Sequence, residues 1–145
     1  MNTMKSNTLK DYKINIKIKL SILWASVTLF YLYGDYFELY IPHKTEDLVT
    51  GDNLLDSPTK LFIAALVLAI PAAMVILSLI LRPIINRVLN IIFGIAFTTI
   101  MLLIAYSTFA EPWRAFYVFY AILESAITIL IVWYAINWPK QLVNH

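Results

Sequence analysis

The chain has 145 residues, is 61% hydrophobic and only 14% charged, and carries a formal net charge of +2 with no cysteine. Soluble domains carry about a quarter charged residues, so this composition points to a membrane protein. The missing cysteines exclude disulfides, thiolate nucleophiles and cysteine metal sites. The lysines gather beside the first apolar run and no basic face recurs elsewhere, which argues against a nucleic-acid partner.

Residues 1–19 are polar and Lys-rich, with Lys5, Lys10, Lys13, Lys17 and Lys19. They read as a cytoplasmic tail, or, over 12–19, as a short interfacial helix. The alternation in 12–19 has the look of a strand, but an isolated strand beside a membrane helix has no partner. The apolar run that follows has the basic flank of a secretory signal, yet it continues into Asp35 and Glu38 without a small-residue cleavage pattern, so it is expected to stay as a first membrane helix, 20–41. Trp24, Thr28, Tyr31, Asp35 and Glu38 fall on one face of that helix. A polar stripe of this kind is costly against lipid and is expected to face other helices or a water-filled cavity. Gly34 allows a neighbour to come close, and Pro42 stops the helix.

The connection 42–57 is acidic, with His43, Lys44, Glu46, Asp47, Asp52 and Asp56. Thr45 is placed to cap a short surface helix, and Gly51-Asp52-Asn53 reads as a turn. Ser57-Pro58 is a helix start, a capping hydroxyl followed by proline at the first helical position. The second long helix, 58–81, carries Pro71 near its middle. Pro71 offers no N–H to the carbonyl of Val67, so a kink is expected. It is either a plain structural kink or one that opens a cavity at mid-depth. Arg82-Pro83 ends this helix, and a third, 86–107, carries Gly94 and Thr98 as a small-residue seam. A short turn with Glu111 leads to a fourth helix, 113–138, bracketed by Trp113 and Trp138, with Trp133 near its far end. Aromatic belts at the two interfaces account for these tryptophans as anchors, and Trp24 reads as another.

The expected fold is therefore all-α: one domain over 1–145, a four-helix transmembrane bundle. Lys5, Lys10, Lys13, Lys17, Lys19, Arg82, Arg87 and Lys140 fall on one side, and Lys44, Lys60 and Arg114 on the other. The positive-inside rule then puts both termini in the cytoplasm and the loop 42–57 outside.

Glu124 is the most informative residue. It lies about 16 Å along the helix from Trp113 at a rise of 1.5 Å per residue, close to the middle of a hydrocarbon layer about 30 Å thick. Tyr117, Tyr120, Glu124 and Thr128 share one broad face, and no Lys, Arg or His lies at that depth in any helix. An ionised carboxylate there needs a partner, water or a cation; without one it is protonated. The expected arrangement is an outward-opening cavity lined by Tyr31, Asp35, Glu38, Tyr117, Tyr120 and Glu124, with Thr28 and Thr128 on the same faces. Such a set suits a proton, a cation or an amine, with the tyrosines stacking on it. The competing reading is that Glu124 simply ties helices together. Interhelical polar bonds are worth only about 0.6–2 kcal/mol. There is no Gly-rich phosphate loop or HExxH, no histidine within the membrane for a hydrolase triad, and His43 and His145 lie on opposite sides. Neither a metal site nor a cofactor is expected.

The runs FYLYGDYFELYIP, AIPAAMVILSLILRPIINRVLNIIFG and FYVFYAILESAITILIVWYAINWP resemble a widespread bacterial family of small four-helix membrane proteins without an assigned function. The family is broadly similar to DoxX-like proteins in size and helix count. The resemblance covers about residues 9–140 and carries no catalytic residue. It implies a bacterial inner-membrane protein of four helices.

Three functions remain. The first is a small binding or transport protein for a cationic or protonatable solute, with Glu124 as its central carboxylate and a homodimer as its working form. The second is a membrane enzyme acting on a lipid-like or aromatic substrate, with Glu124 or Asp35 as acid or base. The third is a non-catalytic subunit of a membrane complex.

Overall fold

A computed structural model describes residues 12–51 and 53–139. Lys5, Lys10, Asp52, Lys140 and His145, named above, lie outside the described residues. The described residues form five α-helices: α1 (Ile16–Glu38), α2 (Lys44–Thr50), α3 (Pro58–Ile80), α4 (Pro83–Thr108) and α5 (Ala115–Ile136), with a 3-10 turn at Pro112–Arg114 before α5. Among the described residues four spans, Ile16–Glu38, Pro58–Ile80, Pro83–Thr108 and Pro112–Ile136, are long and apolar enough to cross a membrane.

The helix ends follow local chemistry. α1 starts at Ile16 and not near residue 20, because the Asn15 side chain accepts from the Lys17 N–H at 2.9 Å and caps the first turn. Part of the expected tail is thus helix. α1 ends at Glu38, where the N–H groups of Leu39, Tyr40 and Ile41 bond three residues back and tighten the chain into a turn ahead of Pro42. The cap of α2 is His43, not Thr45: His43 sits in the left-handed region at φ 66°, and Thr45 lies inside the helix. Gly51 closes α2 with φ 80°, a conformation open to glycine at no steric cost. Ser57 caps α3, its Oγ accepting from the Lys60 N–H at 3.3 Å, with Pro58 at the first position. α3 runs without interruption through Pro71, which is buried. α4 begins at Pro83, because a proline in the first turn forfeits no helical bond, and this draws Asn86 into the helix.

The packing inverts that of a soluble protein. Leu, Ile and Phe side chains cover the outside of all four long helices, while Ser78, Asn86, Asn90, Glu124 and Thr128 are enclosed. α1 is central, packing on α3 and α5, and α4 packs along α5. Gly94 makes the α4–α5 approach close: a Cβ there would stand 2.6 Å from Val132 Cγ2. By contrast α3 and α4, though joined by a tight turn, pack on each other only slightly.

The half of the bundle nearest the α3–α4 turn is solid. Leu20, Trp24, Val27, Met74, Phe97 and Ile131 form its core. Trp24 is wholly enclosed and is not an interface anchor. Its Nε1–H donates to Asn90 Oδ1 at 2.7 Å, Asn90 Nδ2 donates to Asn86 Oδ1 at 2.6 Å, and Asn86 Nδ2 donates to the Ser78 carbonyl at 2.6 Å. Basic side chains at the same end cap helix C-termini. Lys17 Nζ donates to the carbonyl of Leu81 at 2.7 Å, and Arg87 Nε to that of Ala135 at 3.1 Å. Trp113 and Trp133 are exposed on the surface, whereas Trp138 is half-buried against the core.

Candidate functional site

The other half of the bundle is hollow. A cavity of about 670 Å³ lies among α1, α3, α4 and α5 under the segment that carries α2, within the ~300–1,000 Å³ range of small-molecule sites. α1 contributes Tyr31, Gly34, Asp35 and Glu38; α5 contributes Tyr117, Tyr120 and Glu124. α3 and α4 supply apolar walls, Ala64, Val67 and Leu68 facing Ile100, Met101 and Ile104. Phe97 belongs to the lining as well, and it meets Trp24 edge-on at 6.0 Å between ring centroids, so the cavity is floored by the solid half.

These positions follow from helical repeat. Tyr31, Asp35 and Glu38 are four and three apart on α1, and Tyr117, Tyr120 and Glu124 are three and four apart on α5, so each trio occupies one stripe. The two stripes face each other because α1 packs on α5. Thr28 and Thr128 are not among the cavity-lining residues. Thr28 Oγ1 donates to the Trp24 carbonyl at 2.9 Å, and Thr128 Oγ1 donates to the Glu124 carbonyl at 2.9 Å and pairs with Thr98 Oγ1 at 2.6 Å. The Thr28 hydroxyl is thus spent within α1, and that of Thr128 also joins α5 to α4.

The three carboxylates have different surroundings. Glu38 is tied at the mouth: Lys44 Nζ lies 2.8 Å from Oε1, and the Tyr117 hydroxyl donates to Oε2. Arg114 pairs with Glu111 at 3.2 Å and does not reach into the cavity lining. Asp35 and Glu124 have neither a cationic partner nor a side-chain hydrogen bond among the described residues. Glu124 is only 3% exposed, so its carboxyl sits in the enclosed part of the cavity. The hydroxyls of Tyr31 and Ser125 are likewise buried without a partner among the described residues. An unpaired ionised carboxylate in such a setting costs several kcal/mol. Protonation, or a cation beside it, removes that cost. Among the described residues no three His, Asp or Glu side chains are grouped so as to hold a metal ion.

Two features were not read from the sequence. Lys44, counted there as one charge of an acidic loop, lines the cavity and holds Glu38. Asn86 and Asn90, four apart in an otherwise apolar helix, carry the buried network beneath the site; their spacing was the available signal.

The fold and cavity define a small multi-pass α-helical membrane protein with a carboxylate-bearing hollow in one half. The family model for a family of unknown function, DUF6326, matches residues 8–144, and the chain belongs to that family. No curated protein and no solved structure matches the chain.

Proposed function

We propose that this protein binds, and in a membrane carries, a small cationic or protonatable molecule in the cavity. Asp35 and Glu124 are the anionic pole, and Tyr31, Tyr117 and Tyr120 are the polar and aromatic lining. The observation that carries the reading is Glu124: a carboxyl that is 3% exposed, lines a cavity and has no partner among the described residues. Glu38 serves the mouth with Lys44 rather than the ligand. Exchange is competitive: the cation binds the ionised Glu124, and a proton taken up there releases it. Pro71 lies one turn beyond the cavity-lining Val67 and Leu68, within the continuous helix α3. The same proposal places the protein in a bacterial inner membrane, as a single integral domain with both termini cytoplasmic and the α2 loop outside. Trp113 and Trp133 anchor its interfaces, and a homodimer is its working form.

The test is calorimetric titration of benzyltrimethylammonium into the protein in nanodiscs. Glu124→Gln is expected to weaken binding at least tenfold, a factor that corresponds to ~1.4 kcal/mol, and Asp35→Asn to weaken it less. Wild-type affinity should fall as pH falls, and the Gln variant should lose that dependence. Equal affinity and an equal pH profile in wild type and Glu124→Gln would end the proposal and favour a purely structural Glu124.

A further inference from the structure

The cavity has two poles of opposite character. One pole is Asp35 and Glu124 with the unpartnered Tyr31 hydroxyl, and the other is the apolar wall of α3 and α4. A small hydrated cation would use only the first. It would leave an apolar wall facing water, which is unfavourable in proportion to its area.

The surroundings of the cavity differ in the same sense. On the loop side, Lys44, Leu48, Asn53, Leu54 and Leu55 lie over the hollow, and the Lys44–Glu38 ion pair, with the Tyr117 bond to Glu38, ties that roof to α1 and α5. On the flank, α3 and α4 make only slight contact with each other. The Asn86–Ser78 bond pins them at their turn, while the cavity lies between their remote halves. Val67 and Leu68 line the cavity and are also 38% and 43% exposed, so the α3 wall belongs to the inside and the outside of the bundle at once. In a membrane that outside is hydrocarbon.

We infer that the occupant is a single-chain cationic amphiphile, an alkyl ammonium in chemical class, that reaches the cavity from the bilayer between α3 and α4. This rests on the binding reading above and adds the substrate class and the route. The ammonium lies at Asp35 and Glu124 beside the ring of Tyr31 or Tyr120, where cation–π attraction adds to charge pairing. The chain lies along Ala64 and Leu68 on one side and Ile100 and Ile104 on the other. A cavity of about 670 Å³ accommodates one chain with a small head; a two-chain lipid exceeds the size of drug-like ligands that such sites enclose. The head reaches an enclosed carboxylate without crossing the loop, because it travels with its chain in the plane of the membrane.

The experiment compares tetramethylammonium with dodecyltrimethylammonium in phosphatidylcholine nanodiscs, with each affinity corrected for partition of the free cation into protein-free discs. The expected result is a corrected preference of at least tenfold for the dodecyl compound. Ala64→Trp, which fills the flank from α3, should cut that preference to about one, and Glu124→Gln should weaken both cations. Thermal unfolding in the same discs separates a plugged bundle from an unfolded one. Met101→Trp, filling from α4, repeats the test if Ala64→Trp does not fold. Equal corrected affinities that both depend on Glu124 would overturn the amphiphile and its route while the cation site stands. Indifference of both cations to Glu124→Gln would overturn the site itself, and this inference with it.

Discussion

Trp24 illustrates how a single side chain divides the molecule. Its ring supports Phe97, the floor of the cavity, and its N–H is spent on Asn90, which in turn holds Asn86. In hydrocarbon an unpaired indole N–H or amide carbonyl has no water to turn to, so the tryptophan and the two asparagines make one satisfied chain. A double-mutant cycle of Trp24→Phe and Asn90→Ala is expected to give a coupling of about 1 kcal/mol in favour of the native pair, measured by reversible unfolding in mixed micelles. A coupling indistinguishable from zero would mean that the bond contributes nothing and that packing alone holds the floor. Glu124 is the opposite case, one turn from the well-bonded Thr128 but with no side-chain partner among the described residues.

Between elements, the α4–α5 seam shows why Gly94 is there. A methyl added at Gly94 meets Val132 Cγ2 at 2.6 Å and the Thr128 carbonyl at 3.4 Å. Valine is stiff at χ1 in a helix and cannot swing clear. Gly94→Ala gains roughly 1 kcal/mol in helix propensity, against an overpacking cost of about 1–3 kcal/mol. The net expectation is a lower thermal midpoint. Adding Val132→Ala should restore much of the loss, because it removes the clashing methyl. A Gly94→Ala protein as stable as wild type would show that the helices separate freely at this point. The α3–α4 pair has no such seam, and the cavity extends to its flank for that reason. The Gly94–Thr98 spacing was legible in the sequence, since small residues four apart mark a close helix pair. The weak α3–α4 contact was not legible, because hydropathy carries no information about which neighbour each helix chooses.

At the scale of the whole molecule, basic side chains from α1 and from the start of α4 converge on one end, where Lys17 and Arg87 cap the C-termini of α3 and α5. The opposite end carries Lys44 and Arg114, each beside a carboxylate. The basic side chains at the first end thus satisfy helix carbonyls. The chain has no cysteine, so single cysteines can report topology without background. Asn53→Cys in the α2 loop should react with an impermeant maleimide in intact cells, and Ile84→Cys at the α3–α4 turn only after permeabilisation. The reverse pattern would invert the proposed orientation, and labelling of both from one side would rule out an odd number of crossings between them.

The sequence by itself determined that the chain is helical and membrane-spanning, because a 1.5 Å rise and a 30 Å hydrocarbon layer leave few ways to place four long apolar runs. It also determined which residues share a stripe on α1 and on α5, because helical repeat is a local property. Only the tertiary structure decided that the two stripes meet around one cavity, that Thr128 pairs with Thr98 across α4 and α5 instead, and that Trp24 is core and not anchor. It also showed Lys44 reaching back to Glu38. Each of these depends on which helix packs against which, and that choice is made by side-chain shape and close approach across the bundle, not by the order of apolar and polar residues along the chain.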